Sequence, residues 1–396
     1  MREDQKIGLL VITGVFPPDI SGGSLQIKNI CRNLPKENVD IYILTSTFKL
    51  ISKGEVVEDG IQIRRIFLKS KGIISKIYLL LKMTQSFIKI RDSIDIVLFS
   101  GFFNRMMPLF FLSKLFKKKI VQRLTLVGED DPFSILEQKF GFLKFYIYSK
   151  ADFYVSVSPA LTNKTLEHFD SNRVREISVG VDTTVFAPPK DLDEKISIKK
   201  ELSLALDKKI IIFVGLICER KGVDILIEAW KRIRQTAKSG ACVILVGSTD
   251  ESHYMISENF IRRIKQDISA YQMEKEILFI KENDKINKYL KASDIFAFPS
   301  RAEGMPNALL EAMASGLACI STRLPGITDS VITDDKNGLL FEVDNSAGLA
   351  EHLDKVLKDD NYALRLGENG RKEIIKNYSI DRKAKEYMEL FRNILN

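Results

Sequence analysis

Two glutamates, Glu303 and Glu311, stand eight positions apart in the stretch "PSRAEGMPNALLEAMASG". The β-rich run "IFAFPS" ends near Pro299, and proline is favoured in the first turn of a helix, so a helix is predicted to begin near Pro306. Gly316 is typical of a helix stop. Glu303 therefore belongs to the loop after a strand, and Glu311 to the second helical turn. Apolar packing explains the helix, but it does not explain a carboxylate at the carboxyl end of a strand.

A sugar nucleotide is a ligand that such a pair of carboxylates could hold. Its ribose and its sugar each present neighbouring hydroxyl groups, and an ionised carboxylate can accept two hydrogen bonds from such a pair. Its diphosphate suits the backbone N–H groups at a helix start, here around Gly304 to Asn307. One carboxylate would then hold the ribose and the other the sugar.

Two cations precede another predicted helix in "FVGLICERKGVDILIEAW". Arg220 and Lys221 stand just before Gly222 and an amphipathic pattern, where the helix N-terminus adds to their attraction for a diphosphate. An adjacent Arg-Lys pair is also common on ordinary protein surfaces. The position after a strand favours the binding role, because ligands of open α/β sheets lie beyond the carboxyl ends of the strands.

A pair of glycines follows the first predicted strand, in "GVFPPDISGGSLQ". Gly22 and Gly23 are expected to precede a helix that begins near Ser24. Paired glycines let the backbone approach a ligand closely and leave helix N–H groups free for anions. The pattern is not the GxGxxG fingerprint of dinucleotide sites, and a plain turn is the alternative interpretation.

Short β-rich runs alternate with helical patterns, which predicts parallel sheets covered by helices on both faces. The runs in the first half are "KIGLLVITG", "VDIYILTS", "IQIRRIFL", "DIVLFSG", "KIVQRLTL", "DFYVSVS" and "VREISVG"; those in the second are "KIIIFVG", "CVILVGS", "EILFI", "IFAFPS", "ACIST" and "GLLFEV". Between them, "FAPPKDLDEKISIKKELSL" contains two prolines and a run of charges and is predicted to be a linker.

Basic residues are concentrated in one part of the first half. The net charge of +8 lies entirely in residues 1–188, and residues 64–123 carry fourteen Lys and Arg against two Asp and Glu. Apolar residues are interleaved with these cations at roughly helical spacing. Such a surface suits an anionic membrane, and a solvated helix face is an equal alternative. No recognition module supports nucleic acid binding.

The cysteines and histidines do not suggest a metal site. The cysteines lie far apart without a CxxC pair, which is typical of free thiols in a cytoplasmic protein. His168 and His352 fall on predicted helices and His253 in a polar loop, with no zinc-binding spacing. The "DLD" at 191–193 has the letters of a metal-binding motif, but it lies in the predicted linker and is discounted.

These motifs together resemble the retaining glycosyltransferases of family 4. The resemblance covers nearly the whole chain and rests, in order, on "FPPDISGGS", "VGVDTTVFAP", "FVGLICERKG", the Glu-x7-Glu pair and "ACISTRLPGITDSVITDDKNGLLFEVDN". It implies the α/β GT-B fold, in which two Rossmann-like domains face each other across a cleft. Residues 1–188 would bind the acceptor, residues 189–375 the nucleotide sugar, and the C-terminal helix, 376–396, could cross back to the first domain.

The resemblance also implies roles for individual residues. Glu303 would contact the donor sugar, Glu311 the ribose and Lys221 the diphosphate, and the loop near Lys281 and Glu282 would lie beside the base. Gly22 and Gly23 would meet the phosphate and the edge of the acceptor. The donor-binding set is Gly22, Gly23, Arg220, Lys221, Glu303, Gly304, Met305, Pro306, Asn307 and Glu311, and the catalytic set is Glu303, Lys221, Arg220 and Asp130. No metal or cofactor is expected, and the donor is expected to be a UDP- or GDP-linked sugar.

The chain departs from the family pattern at two places. Many members have an arginine directly after the glycine of the "VG…KG" loop, where this chain has Leu216, and Arg220 could take over that role. Many also have a histidine after a strand of the first domain, where "VQRLTLVGEDDPF" offers Glu129, Asp130 and Asp131. Asp130 is predicted to take the acceptor proton. The alternative is that "GEDDP" forms only a turn with a helix cap.

The sequence therefore predicts a retaining, metal-independent glycosyltransferase that transfers a hexose from a nucleotide-sugar donor. The acceptor would be a lipid-diphosphate-linked saccharide in bacterial cell-surface polysaccharide biosynthesis. The protein is expected in the cytoplasm, bound peripherally to the inner membrane face through residues 64–123. Two alternatives stay open: a sugar-nucleotide epimerase or hydrolase of the same fold, and a non-catalytic nucleotide-binding protein at the membrane.

Overall fold

The chain divides into two compact units. The computed structural model describes residues 6–19, 21–49, 54–70, 72–102, 106–234, 240–250, 255–281 and 285–396. Unit 1 comprises Met1–Gly180 and Ile380–Asn396, and unit 2 comprises Val181–Ser379. The predictions for His253 and Glu282 lie outside the described residues.

Unit 1 is built on a largely parallel sheet. Its strands are β1 (Ile7–Thr13), β2 (Val39–Thr47), β3 (Gly54–Glu58), β4 (Ile61–Phe67), β5 (Ile96–Ser100), β6 (Lys119–Leu124), β7 (Phe153–Ser156) and β8 (Val174–Glu176). They lie in the order β3-β4-β2-β1-β5-β6-β7-β8. Every neighbouring pair is parallel except β3, which runs antiparallel to β4. All residues of β1 are buried, as expected for a parallel strand covered on both faces.

Helices cover the sheet of unit 1. They are α1 (Gly22–Asn33), α2 (Ile73–Ile90), α3 (Met107–Leu115), α4 (Pro132–Glu137), α5 (Gly141–Tyr148), α6 (Pro159–Leu166) and, from the end of the chain, α14 (Ile380–Leu395). Helix α14 packs against α1, while α2 packs against α3, and α3 against α5. The apolar side of α14, including Tyr387 and Phe391, joins the core beneath α1. The C-terminal helix therefore belongs to the first unit.

Unit 2 contains a parallel sheet among its described residues. The strands are β9 (Lys209–Val214), β10 (Ala241–Val246), β11 (Ile277–Ile280), β12 (Ile295–Phe298), β13 (Ala318–Thr322) and β14 (Leu339–Phe341), in the order β11-β10-β9-β12-β13-β14. The helices are α7 (Leu192–Glu201), α8 (Val223–Ile233), α9 (Glu258–Ala270), α10 (Ile286–Ala292), α11 (Asn307–Ala314), α12 (Ser346–Lys358) and α13 (Asp360–Asn377). Because β9 and β12 are neighbours, the loops that follow them lie side by side.

The segment predicted as a linker is largely helical. Helix α7 occupies its centre, and the Asp191 carboxylate caps it by accepting a hydrogen bond from the Glu194 N–H at 2.8 Å. Lys195 on this helix pairs with Asp294 at 2.6 Å, which fastens α7 to unit 2. Its charge run, taken for a linker signal, is therefore the polar surface of a packed helix.

The chain passes between the two compact units after Gly180 and after Ser379; the sequence predicts the domain boundaries at 188/189 and 375/376. The chain enters unit 2 at Val181, and within this unit Arg371 donates hydrogen bonds to the carbonyls of Phe186 and Thr183 at 3.2 and 3.4 Å. It leaves after Ser379, and the Tyr378 hydroxyl still donates to the Ser330 carbonyl within unit 2.

The structure adds one strand that the sequence did not predict and corrects the start of one helix. Strand β3 was not predicted, because its residues are mostly exposed and it lacks an apolar run. Helix α1 begins at Gly22 rather than near Ser24, and Ser21 caps it in a reciprocal pair of hydrogen bonds with Ser24.

In the described part of the chain, the helices are too short or too polar to span a bilayer.

Candidate active site

The loop after β9 brings Arg220 and Lys221 to the start of α8. Residues 219–221 form a single 3₁₀ turn, and Gly222 ends it at a φ of +68°. A Cβ atom on Gly222 would lie 1.9 Å from the carbonyl oxygen of Pro299, in the loop after β12. Only glycine allows both this backbone conformation and this approach. The close approach sets the cations beside the loop that carries Glu303.

Glu303 lies buried between these cations. Its carboxylate is 2.6 Å from Lys221 Nζ and 3.5 Å from Arg220, with exposed fractions of 8% for Glu303 and 15% for Lys221. The Ser300 hydroxyl donates a hydrogen bond to Glu303 Oε1 at 2.5 Å. Burial tends to raise the pKa of this carboxyl, but the charges of Lys221 and Arg220 and the two hydrogen bonds hold the pKa below its ordinary value. Glu303 is therefore ionised at neutral pH.

Arg220 holds the loop but keeps one donor unused. Its guanidinium donates from Nη1 to the carbonyl of Ala302 at 2.6 Å. Its Nε–H is buried and has no hydrogen-bond partner among the described residues. A buried N–H without an acceptor is unfavourable by about 1–3 kcal/mol, so an unused donor of this kind is typical of a ligand site.

Glu311 stands apart from this group, on α11. The helix begins after Pro306, and Gly316 follows its end in the left-handed conformation at a φ of +78°. The predicted limits of this helix are confirmed. Glu311 is partly buried, and burial raises its pKa to about 7. Gly304, Met305 and Pro306 are buried and Asn307 is partly buried, so the start of α11 is well packed.

The two glycines of the first loop lie in unit 1, not in unit 2 with the two glutamates. Both occupy the first turn of α1, after the cap formed by Ser21. A Cβ atom on Gly23 would meet no described atom within 4 Å. Packing within the described residues therefore does not require glycine at this position, and the space beside it could admit a ligand.

The acidic loop after β6 is also in unit 1, and each of its carboxylates has a different environment. Asp130, which is 4% exposed, accepts hydrogen bonds from the N–H groups of Thr125 and Leu126 and from the Thr125 hydroxyl, at 2.8 to 3.1 Å. Burial raises the pKa of Asp130 to about 6. Asp131 caps α4 by accepting from the Ser134 N–H at 3.1 Å, and Glu129 is exposed. The turn-and-cap interpretation thus describes Asp131, while the proton-accepting role of Asp130 stays a prediction.

Leu216 and the two histidines of the described residues, His168 and His352, all pack within their own unit. Leu216 packs against the core of unit 2. His168 contacts the rings of Phe133 and Phe145 in unit 1, and His352 lies 3.2 Å from the carbonyl of Leu340 in unit 2. No group of three or more His, Cys, Asp or Glu in the described ranges is arranged to hold a metal ion.

Sequence reasoning missed three residues of this site, namely Ser300, Arg301 and Asp224. Ser300 bonds Glu303 directly, and Arg301 pairs with Asp224 at the start of α8. Ser300 and Arg301 lie inside the stretch "PSRAEGMPNALLEAMASG", but their roles become visible only from their hydrogen-bond partners in the fold. A pairing between loops after different strands leaves no local pattern in a sequence.

Known proteins resemble the chain in sequence and in fold. Residues 194–373 match the family described as "Glycosyl transferases group 1". An uncharacterized glycosyltransferase of Methanocaldococcus jannaschii is 25% identical over 419 residues, covering 99% of this chain and all of that protein. The lipopolysaccharide core biosynthesis mannosyltransferase LpsB of Rhizobium meliloti is 24% identical, over 54% of this chain and 60% of that protein.

The structure of Anabaena HepE in complex with UDP and glucose superposes with a TM-score of 0.79 at 15% identity, covering 98% of this chain and 100% of that one. Likeness at this level concerns the fold, and it confirms the predicted α/β GT-B class. The match of residues 194–373 to the group 1 model and the relatives named as glycosyltransferases together support the plain statement that the chain is a glycosyltransferase.

Proposed function

We propose that this glycosyltransferase is a retaining enzyme of the family 4 type, and that Glu303, Lys221, Arg220 and Glu311 bind its nucleotide-sugar donor. The observation that carries the proposal is the buried contact of 2.6 Å between Lys221 and Glu303, beside the unused Nε–H of Arg220. Two cations face one carboxylate, so this group of three keeps one uncompensated positive charge. A diphosphate supplies the matching negative charge and acceptors.

Lys221 changes its partner when the donor binds. The diphosphate attracts Lys221 and Arg220, and the oxygens of Glu303 then become available to the hydroxyl groups of the sugar. An ionised carboxylate suits this task because it accepts two hydrogen bonds without needing a proton. The low pKa of Glu303 supports this role.

Glu311 holds the ribose of the donor. Its partly buried carboxyl, with a pKa of about 7, accepts hydrogen bonds from two ribose hydroxyls once it is ionised. Hydrogen bonds to the charged form favour that form, so donor binding near neutral pH releases a proton. Gly304, Met305, Pro306 and Asn307 place the backbone at the start of α11 beside the diphosphate.

Transfer proceeds with retention at the sugar carbon. The acceptor hydroxyl forms the new C–O bond on the face from which the nucleoside diphosphate departs. Lys221 and Arg220 stabilise the charge that develops on the departing diphosphate, which is where electrostatic stabilisation is most effective. No metal ion is required in this scheme, because the two cations carry the compensating charge.

Asp130 takes the proton of the acceptor hydroxyl. A pKa of about 6 suits a group that accepts a proton near neutral pH. To do so, Asp130 has to exchange the hydrogen bond from the Thr125 hydroxyl for one from the acceptor. A variant at Glu129, which is exposed in the same loop, is the control for a variant at Asp130.

The acceptor is a lipid-diphosphate-linked saccharide at an anionic membrane surface. Support comes from the basic apolar face, by which we mean the outer sides of the adjoining helices α2, α3 and α5. Helices α2 and α3 lie within residues 64–123, and α5 extends the predicted surface beyond them. Its exposed apolar residues are Ile73, Ile74, Ile77, Tyr78, Leu81, Phe111, Leu115, Phe140, Phe142, Leu143 and Tyr146. Exposed lysines border them, and two lie over exposed rings: Lys139 over Phe140 and Lys150 over Tyr146. Apolar residues beside lysines suit the interface of an anionic bilayer.

The donor is proposed to be UDP- or GDP-linked. The bound UDP and glucose of Anabaena HepE support UDP as the first choice, and the mannosyltransferase LpsB supports a role in cell-surface polysaccharide synthesis. With that role, the protein acts in the cytoplasm at the inner membrane face.

A transfer assay tests this function. Radiolabelled UDP- and GDP-sugars are incubated with polyprenyl-diphosphate-linked saccharides in the presence of EDTA, and label in the lipid extract is counted. We expect transfer that survives EDTA, and a product whose anomeric configuration by NMR matches that of the donor. Inverted configuration would overturn the retaining mechanism. Free sugar or an epimer formed without acceptor would favour an epimerase or hydrolase, and nucleotide binding without turnover would favour the non-catalytic alternative.

A further inference from the structure

We propose that Arg301 and Asp224 are a positioning pair that holds Glu303 against Lys221. The inference rests on the proposed donor site and adds residues that do not touch the donor in that scheme. Arg301 stands two positions before Glu303, and Asp224 stands two positions after Gly222, in the first turn of α8. The pair therefore connects the loop that carries the carboxylate to the turn that carries the lysine.

Arg301 and Asp224 form a bidentate ion pair. Arg301 Nη1 and Nη2 donate to the two carboxylate oxygens of Asp224 at 3.0 and 2.9 Å. Both side chains are only about a quarter exposed, at 29% and 27%. A planar guanidinium fits a carboxylate in this way, whereas the single ammonium group of lysine does not. The geometry thus fixes orientation as well as distance.

Backbone contacts reinforce the same connection from both sides. The Arg301 N–H donates to the carbonyl of Arg220 at 2.8 Å, and Arg301 Nη1 also donates to the carbonyl of Glu219. In return, Arg220 donates to the carbonyl of Ala302. These three contacts, together with the ion pair, leave Glu303 little freedom to move away from Lys221. A catalytic carboxylate needs such support, because small displacements lower the rate strongly.

Arg301 has a second acidic partner that serves as a matched control. Its Nε donates to Asp344 Oδ1 at 2.7 Å, but Asp344 is 61% exposed. An exposed single contact contributes little, so its loss should leave the Asp224 contact in place. Comparing Asp224→Asn with Asp344→Asn therefore separates the positioning contact from an ordinary surface pair on the same arginine.

The reactivity of Lys221 reports the position of Glu303 without any ligand. We would measure the rate of trace acetylation at Lys221 by mass spectrometry, with Lys195 as internal reference. The two lysines are alike: each lies 2.6 Å from a carboxylate, and they are 15% and 20% exposed. General loosening of unit 2 would raise both rates, whereas displacement of Glu303 raises only that of Lys221. Glu303→Gln gives the rate expected when the contact is lost.

We expect Arg301→Gln and Asp224→Asn to raise acetylation of Lys221 about tenfold, the factor that a charge-assisted hydrogen bond represents. Lys195 should keep its rate, and Asp344→Asn should resemble the wild type. The exchanged pair, Arg301→Asp with Asp224→Arg, should recover part of the protection if the single variants fold poorly. Wild-type Lys221 rates in folded Arg301→Gln and Asp224→Asn would overturn the proposal.

A second measurement tests whether the positioning pair affects donor binding. It also distinguishes failure of the positioning proposal from failure of the proposed function. With the donor found in the transfer assay, Arg301→Lys should bind the nucleoside diphosphate normally but lose the extra affinity that the sugar adds, because Glu303 holds the sugar. Retention of that extra affinity would overturn the positioning role. If the wild-type protein transfers no sugar while Arg301→Gln still raises acetylation of Lys221, the proposed function would be contradicted. The positioning pair would not be affected by that result.

Discussion

Lys221 Nζ lies 2.6 Å from the carboxylate of Glu303, and the two residues come from loops that follow neighbouring strands, β9 and β12. Both side chains are largely buried, and Ser300 and Arg220 complete the surroundings of the carboxylate. A buried ion pair is a poor source of stability, because desolvation offsets most of the attraction. Its position at the carboxyl ends of two adjacent strands is better explained by the binding of an anionic ligand.

Replacing Glu303 by glutamine should affect both transfer and stability. The variant leaves Lys221 and Arg220 without their shared counter-charge, so we expect unfolding to become easier by about 3 kcal/mol. Transfer should fall by at least about 100-fold, as when one stabilising group of a transition state is removed. Urea unfolding and the transfer assay measure the two effects. Glu219→Gln, which changes an exposed carboxylate in the adjacent turn, is the control and should resemble the wild type.

The pH dependence of this stability difference follows from the direction of the pKa shift. The pKa of Glu303 in the folded protein lies below its ordinary value of 4.5. The stabilisation should therefore be fully present above about pH 4.5 and disappear as the pH falls through the lower, folded value. A difference between wild type and Glu303→Gln that grew on acidification would contradict this assignment.

Unlike Glu303→Gln, the Glu311→Gln variant should be more stable than the wild type at high pH. The folded-state pKa of Glu311 is about 7, above its ordinary value of 4.5, so the folded protein binds the proton more tightly. Its contribution to stability is thus present below pH 4.5 and is lost as the pH rises to about 7. At pH 8 the uncharged glutamine should make the ligand-free protein more stable by about 2 kcal/mol relative to wild type. Urea unfolding at pH 4.5 and pH 8 tests this, and equal differences at both pH values would count against it.

Phe391→Ala should weaken unit 1, although it lies near the end of the chain. Phe391 is 1% exposed and packs in the core shared by α14, α1 and the sheet. Removing a buried phenylalanine side chain destabilises by about 3–5 kcal/mol. Hydrogen exchange should accelerate in peptides from β1 and β2. If those peptides kept their wild-type exchange, α14 would contribute little to the core of unit 1.

Phe142→Asp should reduce membrane binding without harming the fold. Phe142 is 83% exposed on α5, so its replacement removes little packing. Insertion of one aromatic side chain into a bilayer interface contributes about 2 kcal/mol, so binding to anionic vesicles should weaken by more than about tenfold. Sedimentation with phosphatidylglycerol vesicles, against phosphatidylcholine vesicles, measures this.

Leu364→Asp is the matched control for the vesicle experiment. Leu364 is 60% exposed on α13 of unit 2 and is not part of the helices that form the basic apolar face. It should leave vesicle binding unchanged. Equal loss in both variants would mean that the basic apolar face is not the membrane contact, and concentration-dependent self-association that Phe142→Asp abolishes would point to a second copy of the chain.

The sequence predicted most strands of both sheets and the contrast between Glu303 in a loop and Glu311 on a helix, for identifiable reasons. Apolar runs such as that of β1 are long and continuous, so strands could be placed from them. Pro306 and Gly316 delimit α11, which puts Glu303 in a loop and Glu311 on the helix. The sequence pattern did not predict β3, because its exposed residues are typical of a loop. It did not predict α7 either, because a run of charges is also typical of a linker. Asp130 was predicted as a base, but its hydrogen bonds to Thr125 and Leu126 depend on the folded turn.

The pairing of Arg301 with Asp224 was beyond prediction for a different reason. These residues are brought together by strand order, because β12 lies beside β9 in the sheet. A single sequence shows which residues are charged, but not which charges meet. The contacts that orient Glu303 therefore emerge only from the fold.

Thermal unfolding with a panel of nucleotides tests the central claim, the donor site, most directly. UDP, GDP, ADP, CMP and their common sugar conjugates are added with and without EDTA, to the wild type and to Glu311→Ala. One base should stabilise the wild type by about 2.7 kcal/mol at 100 times its dissociation constant, a shift of a few degrees. The shift should persist in EDTA and vanish in Glu311→Ala. No shift with any nucleotide, or one that Glu311→Ala retains in full, would contradict the assignment of the donor site.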